Sequence, residues 1–357
     1  MRSRVLSALV IGTAAVGLAA CSPAVQEAKQ DPSGQSGGST GFPATLDDCE
    51  GRKTTFDAAP QRIVTSNGSS LELLFWLGAG DKIIGTGFPP AKGTLPESFR
   101  AAGEKVPVLG EMVISKEKLL GSGAQLYVDT FAHAGAMGGM GGPPSEEEFA
   151  AADIKHVYLK STACAAKASG PLTDLSTVET DIKRMGSVTG TGAKADELVQ
   201  GMRTKVTKVT DAVAKLPQDK RPSYFFFDFD AGTEQPIAVC GKQVANAVIT
   251  LAGAKNLFAD CDADFKPVGW EQVVSGNPQW IQLGVRDKGG KQENDAAFAA
   301  AEKFLREFPA TAGLEAVKQG KFVRVSSEAT TIAGVRNADA VVEIAKTIHP
   351  DVIVAQG

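Results

Sequence analysis

Short runs of β-branched and aromatic residues alternate along the chain with segments whose apolar residues recur every three or four positions. The first unit has a strand pattern at 62–65, turn-prone residues at 66–70 and a helix pattern at 71–78 that ends in a glycine. Strands and helices that alternate at this spacing form parallel βα units in a mostly parallel sheet. The sequence therefore predicts an α/β fold.

The same alternation continues to the C-terminus. In the first half we predict further strands at 83–86, 106–109, 125–128 and 156–159, and helices at 116–120, 146–152 and 175–185. In the second half we predict strands at 223–229, 280–283 and 322–325, helices at 243–251, 270–275, 298–308 and 338–348, and a loop at 260–267. Each half is long enough to bury a core of its own.

One helix pattern is much longer than the others. Between residues 193 and 216 one face carries Leu198, Met202, Val206, Val209, Val213 and Leu216. A helix of this length spans roughly 35 Å, about the diameter of a small domain. The sequence thus predicts two Rossmann-like lobes with mostly parallel sheets, at 42–192 and 217–357, joined by one long rigid α-helix at 193–216. We expect a ligand cleft between the lobes and little hinge bending, because a hinge would break helical hydrogen bonds.

The N-terminus has the features of an export signal. Two arginines precede an apolar run of about 16 residues, which is shorter than the roughly 20 residues of a transmembrane helix. The run ends in Leu18-Ala19-Ala20-Cys21, which resembles the lipobox of bacterial lipoproteins. This resemblance implies a signal peptide at 1–20 and a lipid on Cys21 that anchors the protein to the outer face of the cell membrane; the alternative is a plain secretory signal. Residues 21–41 are rich in Gly, Ser, Pro and Gln and are predicted to form a flexible tether.

Composition and motifs argue against several functions. The formal net charge of -4 and the lack of a Lys/Arg-rich block give no electrostatic footprint for nucleic acid. The sequence has no GxSxG elbow between a predicted strand and a helix, no Walker or HExxH motif, and no GxGxxG that follows a strand. We therefore expect neither an enzyme nor a bound cofactor.

Four cysteines remain besides Cys21: Cys49, Cys164, Cys240 and Cys261. An even number in an exported chain predicts two disulfides, with three possible pairings. Joining Cys240 to Cys261 would close a loop of about 20 residues and stabilise the fold by roughly 3 kcal/mol in the chain-entropy model, so we favour this pairing. Cys49 then pairs with Cys164 in the first lobe. A metal site is the weaker interpretation, because CxxC and HxxxH spacings do not occur.

Two stretches of the sequence resemble one family. Residues 62–85, from Arg62-Ile63-Val64-Thr65 to Ile83-Ile84-Gly85, resemble the opening βαβ unit of the helical-backbone (class III) periplasmic binding proteins. Residues 247–274 contain an amphipathic helix, a GGxN-like turn and a Trp-Glu-Gln helix similar to the second lobe of these proteins. The resemblance extends from about residue 62 to the C-terminus. It fails locally at 122–125, where the family usually has a Pro-Asp pair.

The resemblance implies a function. Members of this family are the substrate-binding components of ABC importers for ferric siderophores, haem and cobalamin. The chain is therefore expected to be a monomeric, lipid-anchored protein that binds a ferric siderophore in the interlobe cleft and delivers it to the ABC permease in the membrane. A haem or cobalamin binder is one alternative, and a surface interaction protein that uses the same fold without transport is another.

The resemblance also assigns roles to four residues. Glu117 and Glu271 match acidic positions that dock onto arginines of the permease; the alternative is that both are solvated helix residues. Trp270 matches an aromatic residue of the cleft wall, with a core tryptophan as the alternative. Arg336 matches a loop arginine that points into the cleft and would neutralise an anionic chelate, with a structural salt bridge as the alternative.

Two loops at the predicted carboxyl ends of strands complete the candidate binding residues. Ser66, Asn67 and Ser69 follow the first strand, where open α/β sheets bind ligands. The glycine-rich loop 131–144 follows another strand and contributes Phe131 and His133. Together with two methionines of this loop, His133 could ligate a soft metal or haem iron, but we prefer a flexible rim and predict no metal site.

Overall fold

The computed structural model describes residues 41–130 and 143–353. The signal peptide, Cys21 and the tether up to residue 40 lie outside this range, as do Phe131 and His133. In the part of the chain that is described, no helix combines the length and the apolar character needed to cross a bilayer.

The N-terminal lobe is built on a five-stranded parallel sheet. An antiparallel pair, β1 (Ala44–Asp47) and β2 (Lys53–Phe56), precedes it. The sheet strands are β3 (Ile63–Thr65), β4 (Ile83–Gly87), β5 (Val108–Gly110), β6 (Leu126–Asp129) and β7 (Lys155–Tyr158), in the order β5-β4-β3-β6-β7. The helices are α1 (Gly68–Trp76), α2 (Glu97–Gly103), α3 (Lys116–Leu120), α4 (Glu146–Ala151), α5 (Lys160–Ala163) and α6 (Ser176–Thr189).

A single long helix, α7 (Gly192–Val213), leads from the first lobe to the second. It ends three residues before the predicted position 216. Pro217 explains the early end, because in a continued helix the proline ring would clash with the carbonyl of the residue four positions before it, which is Val213.

The C-terminal lobe contains a four-stranded parallel sheet and a small antiparallel pair. The strands are β8 (Ser223–Asp228), β9 (Ile237–Val239), β10 (Lys255–Asn256), β11 (Phe265–Pro267), β12 (Trp280–Gly284) and β13 (Phe322–Val323). The parallel sheet has the order β10-β8-β12-β13. The helices are α8 (Val244–Leu251), α9 (Trp270–Gly276), α10 (Lys291–Glu307), α11 (Glu315–Gln319), α12 (Ser327–Thr331), α13 (Asn337–Ile348) and α14 (Pro350–Ile353). The predicted α/β class with two mostly parallel sheets is confirmed.

The loop predicted at 260–267 is wrong at its C-terminal end. Residues Phe265–Pro267 form β11, which pairs antiparallel with β9, and Phe265 lies opposite Val239. Neither three-residue strand is long enough to show a period of two, and the proline of β11 argues against a strand when the sequence is considered alone.

Two disulfides are present in the structure. Cys49 is joined to Cys164, which connects the turn between β1 and β2 to the end of α5. Cys240 is joined to Cys261, which fastens the loop before β11 to the end of β9. Backbone hydrogen bonds reinforce the second connection, including one of 2.9 Å from the N–H of Cys240 to the carbonyl of Asp264.

The largest apolar core crosses from one lobe to the other. It contains Leu71 of α1 in the first lobe, Leu198 and Val209 of α7, and Ile344 of α13 in the second lobe. Helix α7 packs on both α6 and α13. The linker helix is therefore a structural part of both lobes.

Candidate ligand-binding cleft

The two sheets direct their topological switch points toward a common cavity. In the N-terminal sheet the strand order reverses between β3 and β6, and in the C-terminal sheet it reverses between β8 and β12. Open α/β sheets bind ligands at the carboxyl ends of strands at such points. Asn67 follows β3, Asp228 ends β8 and Arg286 follows β12, and all three line the cavity.

The cavity has a volume of about 630 Å³, which falls within the range of about 300–1,000 Å³ that is usual for small-molecule sites. Both lobes contribute to its lining: Asn67, Gly68, Ser69, Glu72, Phe88, Pro89, Pro90, Ala91 and Thr94 come from the first, and Asp228, Ile237, Phe265, Arg286, Ser327, Glu328, Thr331, Ile332 and Arg336 come from the second. The lining combines apolar side chains with a few charged groups.

Ser66 does not reach the cavity. The residue is 3% exposed, and its hydroxyl oxygen accepts the backbone N–H of Thr130 at 3.1 Å. This bond connects the ends of β3 and β6, so Ser66 stabilises the strand ends beneath the cavity wall. Its predicted role as a ligand contact is wrong, because it does not line the cavity.

Asn67 and Ser69 do line the cavity, and both have internal partners. The side-chain oxygen of Asn67 caps α1 by accepting the backbone N–H of Ser69 at 3.1 Å and that of Ser70 at 3.2 Å. The hydroxyl of Ser69 donates to the carbonyl of Ala333 across the cleft at 3.4 Å. Both residues therefore order the cavity edge where the lobes meet.

Arg336 lines the cavity, and its charge is already paired. Its Nη2 lies 2.7 Å from Oε2 of Glu72, and Oε1 of the same glutamate accepts the indole N–H of Trp76 at 3.0 Å. Since Glu72 belongs to α1, this is an ion pair between the lobes. Arg336 is consequently not a free cation that could neutralise an anionic chelate.

Trp270 is not part of the cleft wall. It is 7% exposed and packs against Phe227, with ring centroids 5.3 Å apart, and against Phe308 at 5.4 Å. Its indole N–H donates to the carbonyl of Thr233 at 3.0 Å. Because its apolar faces and its single donor are all used within the lobe, Trp270 is a core residue.

Exposed apolar side chains, two of them aromatic, line the cavity in place of Trp270. Phe88 of the first lobe, and Phe265 and Ile332 of the second, are 41%, 42% and 36% exposed, and all three line the cavity. Phe88 has a positive φ of 23°, a strained conformation that recurs at ligand sites. Such exposed apolar groups around one cavity are typical of a binding surface.

Two cavity carboxyl groups have altered acidity. Burial raises the pKa of Asp228, while the nearby Arg286 lowers it in part and Asp230 raises it further. Burial also raises the pKa of Glu328, which accepts the backbone N–H of Asp287 at 3.0 Å. Burial makes the ionised form of both carboxyl groups less stable. A ligand that carries a positive charge or donates a hydrogen bond would stabilise that form.

Our sequence analysis missed Asp228 and Arg286. Asp228 is the last residue of β8, although the strand prediction extended through residue 229 and hid it. Arg286 comes two residues after β12. A charged residue at or just beyond the carboxyl end of a predicted parallel strand is the signal that would have identified both.

The two predicted docking residues lie on the same side of the sheets as the cavity. Glu117 is in the first turn of α3, which follows β5, and Glu271 is in the first turn of α9. Each helix leads to the amino end of the next sheet strand, so its first turn lies near the carboxyl ends of the strands. Both side chains are exposed, one on each lobe.

Comparison with known proteins identifies the family. A family described as periplasmic binding protein matches residues 63–329, which is well over half of the chain. The chain belongs to this family. Its structural neighbours are class III periplasmic binding proteins, as the sequence resemblance implied.

Two curated relatives illustrate the range of the family. An uncharacterized ABC transporter substrate-binding lipoprotein of Bacillus subtilis is 26% identical over 317 residues, 87% of each chain. A vitamin B12-binding protein of Yersinia pestis is 24% identical over 225 residues, 62% of this chain and 69% of that protein.

Solved structures share the fold of this periplasmic binding protein. One from Veillonella parvula has a TM-score of 0.70 and 25% identity, over 86% of this chain and 97% of the other. One from Saccharomonospora viridis, described as part of an ABC-type Fe3+-hydroxamate transport system, has a TM-score of 0.66 and 22% identity, over 86% and 99%.

Proposed function

We propose that the protein is the lipid-anchored substrate-binding component of an ABC importer and binds a ferric siderophore of the hydroxamate type in the interlobe cavity. Family membership and the similarity to an ABC transporter substrate-binding lipoprotein support the transport role. The protein itself performs no chemistry in this role.

The charge of the cavity supports this class of ligand. Its lining contains three carboxyl groups, on Glu72, Asp228 and Glu328, against two guanidinium groups, on Arg286 and Arg336. A ferric tricatecholate carries several negative charges, which this lining would repel. A ferric trihydroxamate is neutral or cationic, which suits a lining with one more carboxyl than guanidinium group. Its apolar periphery suits the exposed rings of Phe88 and Phe265.

Cobalamin is the second candidate, because a curated relative is a vitamin B12-binding protein. Cobalamin also lacks strong negative charge, but it is larger than a ferric trihydroxamate. Haem carries two carboxylates and is less well matched to a lining with more carboxyl than guanidinium groups.

Calorimetric titration of the protein with a ferric trihydroxamate, a ferric tricatecholate, cobalamin and haem tests the proposal. We expect saturable, submicromolar binding of the trihydroxamate and weaker or no binding of the tricatecholate. Binding of cobalamin or haem alone would reject the siderophore in favour of that ligand. Lack of binding to all four, together with normal use of iron chelates and cobalamin by a strain without the protein, would reject the transport function.

A pair of variants locates the site. Ala91 is exposed and lines the cavity, whereas Ala101 is exposed on α2 outside it. Ala91→Trp should fill the cavity and weaken binding of the trihydroxamate at least about tenfold, and Ala101→Trp should leave it unchanged. Equal affinities for the two variants would contradict the assignment of the cavity.

A further inference from the structure

Two buried oxygen atoms on the C-terminal wall of the cavity have no hydrogen-bond partner within the described residues. They are Oδ1 of Asp228 and the hydroxyl oxygen of Ser327, a residue that is 5% exposed. Buried polar atoms in folded proteins nearly always have partners, so unpaired ones next to a ligand cavity indicate groups that a ligand satisfies.

The carboxylate of Asp228 is held by its surroundings. It accepts the backbone N–H of Ala231, which leaves Oδ1 as the oxygen without a partner. Asp228 lies opposite Gly284 in the register of β8 and β12, and a Cβ on Gly284 would lie 2.6 Å from the carbonyl oxygen of Phe227. The close packing of the two strands at this point limits how far Asp228 can move.

The charges around Asp228 favour a cation. Arg336 pairs with Glu72 and also acts on Glu328, so Arg286 is the cavity guanidinium that offsets Asp228. The charge of Arg286 acts on the Asp228 carboxylate, but Arg286 is exposed and forms no ion pair with it within the described residues, so solvent screens the interaction. Asp230, the other nearby carboxylate, is already paired with Lys288 at 2.9 Å. The negative charge of the Asp228 carboxylate is therefore only partly offset.

We propose that Asp228 binds a protonated amine of the ligand, with the Ser327 hydroxyl as a second acceptor on the same wall. An ammonium group has three N–H donors and no acceptor, and its bond to a carboxylate is among the stronger hydrogen bonds in proteins. The ligand class is thus a metal chelate that carries a free primary amine. The identity of this chelate rests on the proposed function, whereas the amine subsite is testable without it.

A small amine tests the subsite alone. We would titrate the protein with n-pentylammonium, and with 1-pentanol as an uncharged control, and follow the backbone amide NMR signals of Ala231 and Ser327. We expect saturable shifts with pentylammonium in the wild-type protein, none with pentanol, and none with either probe in Asp228→Asn. The control variant Asp57→Asn, which changes an exposed aspartate outside the cavity, should behave like wild type. Equal shifts in wild type and Asp228→Asn would overturn the subsite.

A matched pair of chelates tests whether the amine subsite at Asp228 contributes to ligand selectivity. A linear ferric trihydroxamate that ends in a primary ammonium should bind at least about tenfold more tightly than its N-acetylated form, and Asp228→Asn should remove most of this preference. Equal binding of both chelates by wild type would overturn the subsite and leave the proposed function intact. Binding of pentylammonium without binding of either chelate would overturn the siderophore function and leave the subsite intact.

Discussion

The guanidinium of Arg336 lies 2.7 Å from the carboxylate of Glu72, and the pair connects helix α1 of the first lobe to the loop before α13 of the second. The two side chains are 23% and 11% exposed, so the pair is only partly screened by solvent. It holds the lobes together beside the cavity and at the same time removes one positive charge from the groups available to a ligand.

We predict that breaking this pair destabilises the protein. Glu72→Gln keeps the shape of the side chain but leaves the Arg336 charge without a partner, and we expect the free energy of unfolding to fall by about 1–2 kcal/mol. Urea denaturation of Glu72→Gln, Arg336→Gln and the double variant measures the coupling. A double variant that loses the sum of the two single losses would show that the residues do not stabilise each other.

The two disulfides should have different effects on binding. Cys240–Cys261 fastens the loop that leads to Phe265 of the cavity, whereas Cys49 and Cys164 lie outside the cavity lining. Replacing both Cys240 and Cys261 by serine should weaken ligand affinity and lower the free energy of unfolding by roughly 3 kcal/mol. Replacing Cys49 and Cys164 should lower stability by about 4–5 kcal/mol, because the closed loop is longer, without changing ligand affinity while the protein stays folded. Calorimetric titration and urea denaturation of both variants test this difference.

We predict that the exposed acids Glu117 and Glu271 act in transport and not in ligand binding. The double variant Glu117→Ala/Glu271→Ala should retain the wild-type ligand affinity but reduce uptake by cells about tenfold or more, because both lobes lose a charge that orients docking on the permease. Glu97 and Glu315 are also exposed acids in the first turns of helices, and their double alanine variant serves as the control. Equal uptake by the two double variants would argue against docking.

His156 should make stability depend on pH. Its ring lies 2.9 Å from Glu146 through Nδ1 and 3.5 Å from Asp129 through Nε2, and the tilted rings of Tyr127 and Tyr158 pack against it. Burial lowers the pKa of His156, but the two carboxylates outweigh burial and the net pKa is raised. The protonated form therefore adds stability below about pH 6.5, and this contribution is lost as the pH rises through the raised pKa.

Urea denaturation of His156→Gln at several pH values measures this effect. We expect the substitution to cost about 1.5–3 kcal/mol near pH 6 and clearly less above pH 8. The control is His349→Gln, because burial lowers the pKa of His349 and its stabilising effect should diminish toward acid pH. A cost at position 156 that does not change with pH would contradict the prediction.

A contact between two glycines across the cleft should control the cavity. Gly93 of the first lobe meets Gly289 of the second, and a Cβ on Gly289 would lie 2.7 Å from the carbonyl oxygen of Lys92. We expect Gly289→Ala to push the lobes apart and weaken ligand binding. Gly51 has the same φ of 84° but open space around it, so Gly51→Ala adds the backbone strain without the collision. Small-angle scattering and calorimetric titration should show a change only for position 289.

The sequence predicts the fold well because its signals are local. The strand and helix patterns at 62–78 and the long apolar stripe of 193–216 each depend on neighbours within a few positions, and the structure has elements at both places. The short strands β9 and β11 depend on each other across the chain, so no local pattern indicates them.

The binding site is harder to predict from sequence for the same reason. Trp270 has the residue type expected of a cleft wall, but its neighbours Phe227 and Phe308 come from distant segments and bury it in the core. Arg336 lines the cavity as expected, yet its partner Glu72 lies 264 positions away and changes what its charge can do. Which side chains face the cavity, and which charges remain unpaired there, are decided by contacts between the lobes.

The apolar core that passes through α7 should couple the unfolding of the two lobes. Removing either lobe would expose the apolar face of α7 to water, so an isolated lobe should not be a stable fragment. Heat should accordingly melt the protein in one transition, with the calorimetric and van't Hoff enthalpies in agreement. A ligand in the cleft would then protect the whole chain, including segments far from the site, against unfolding and proteolysis.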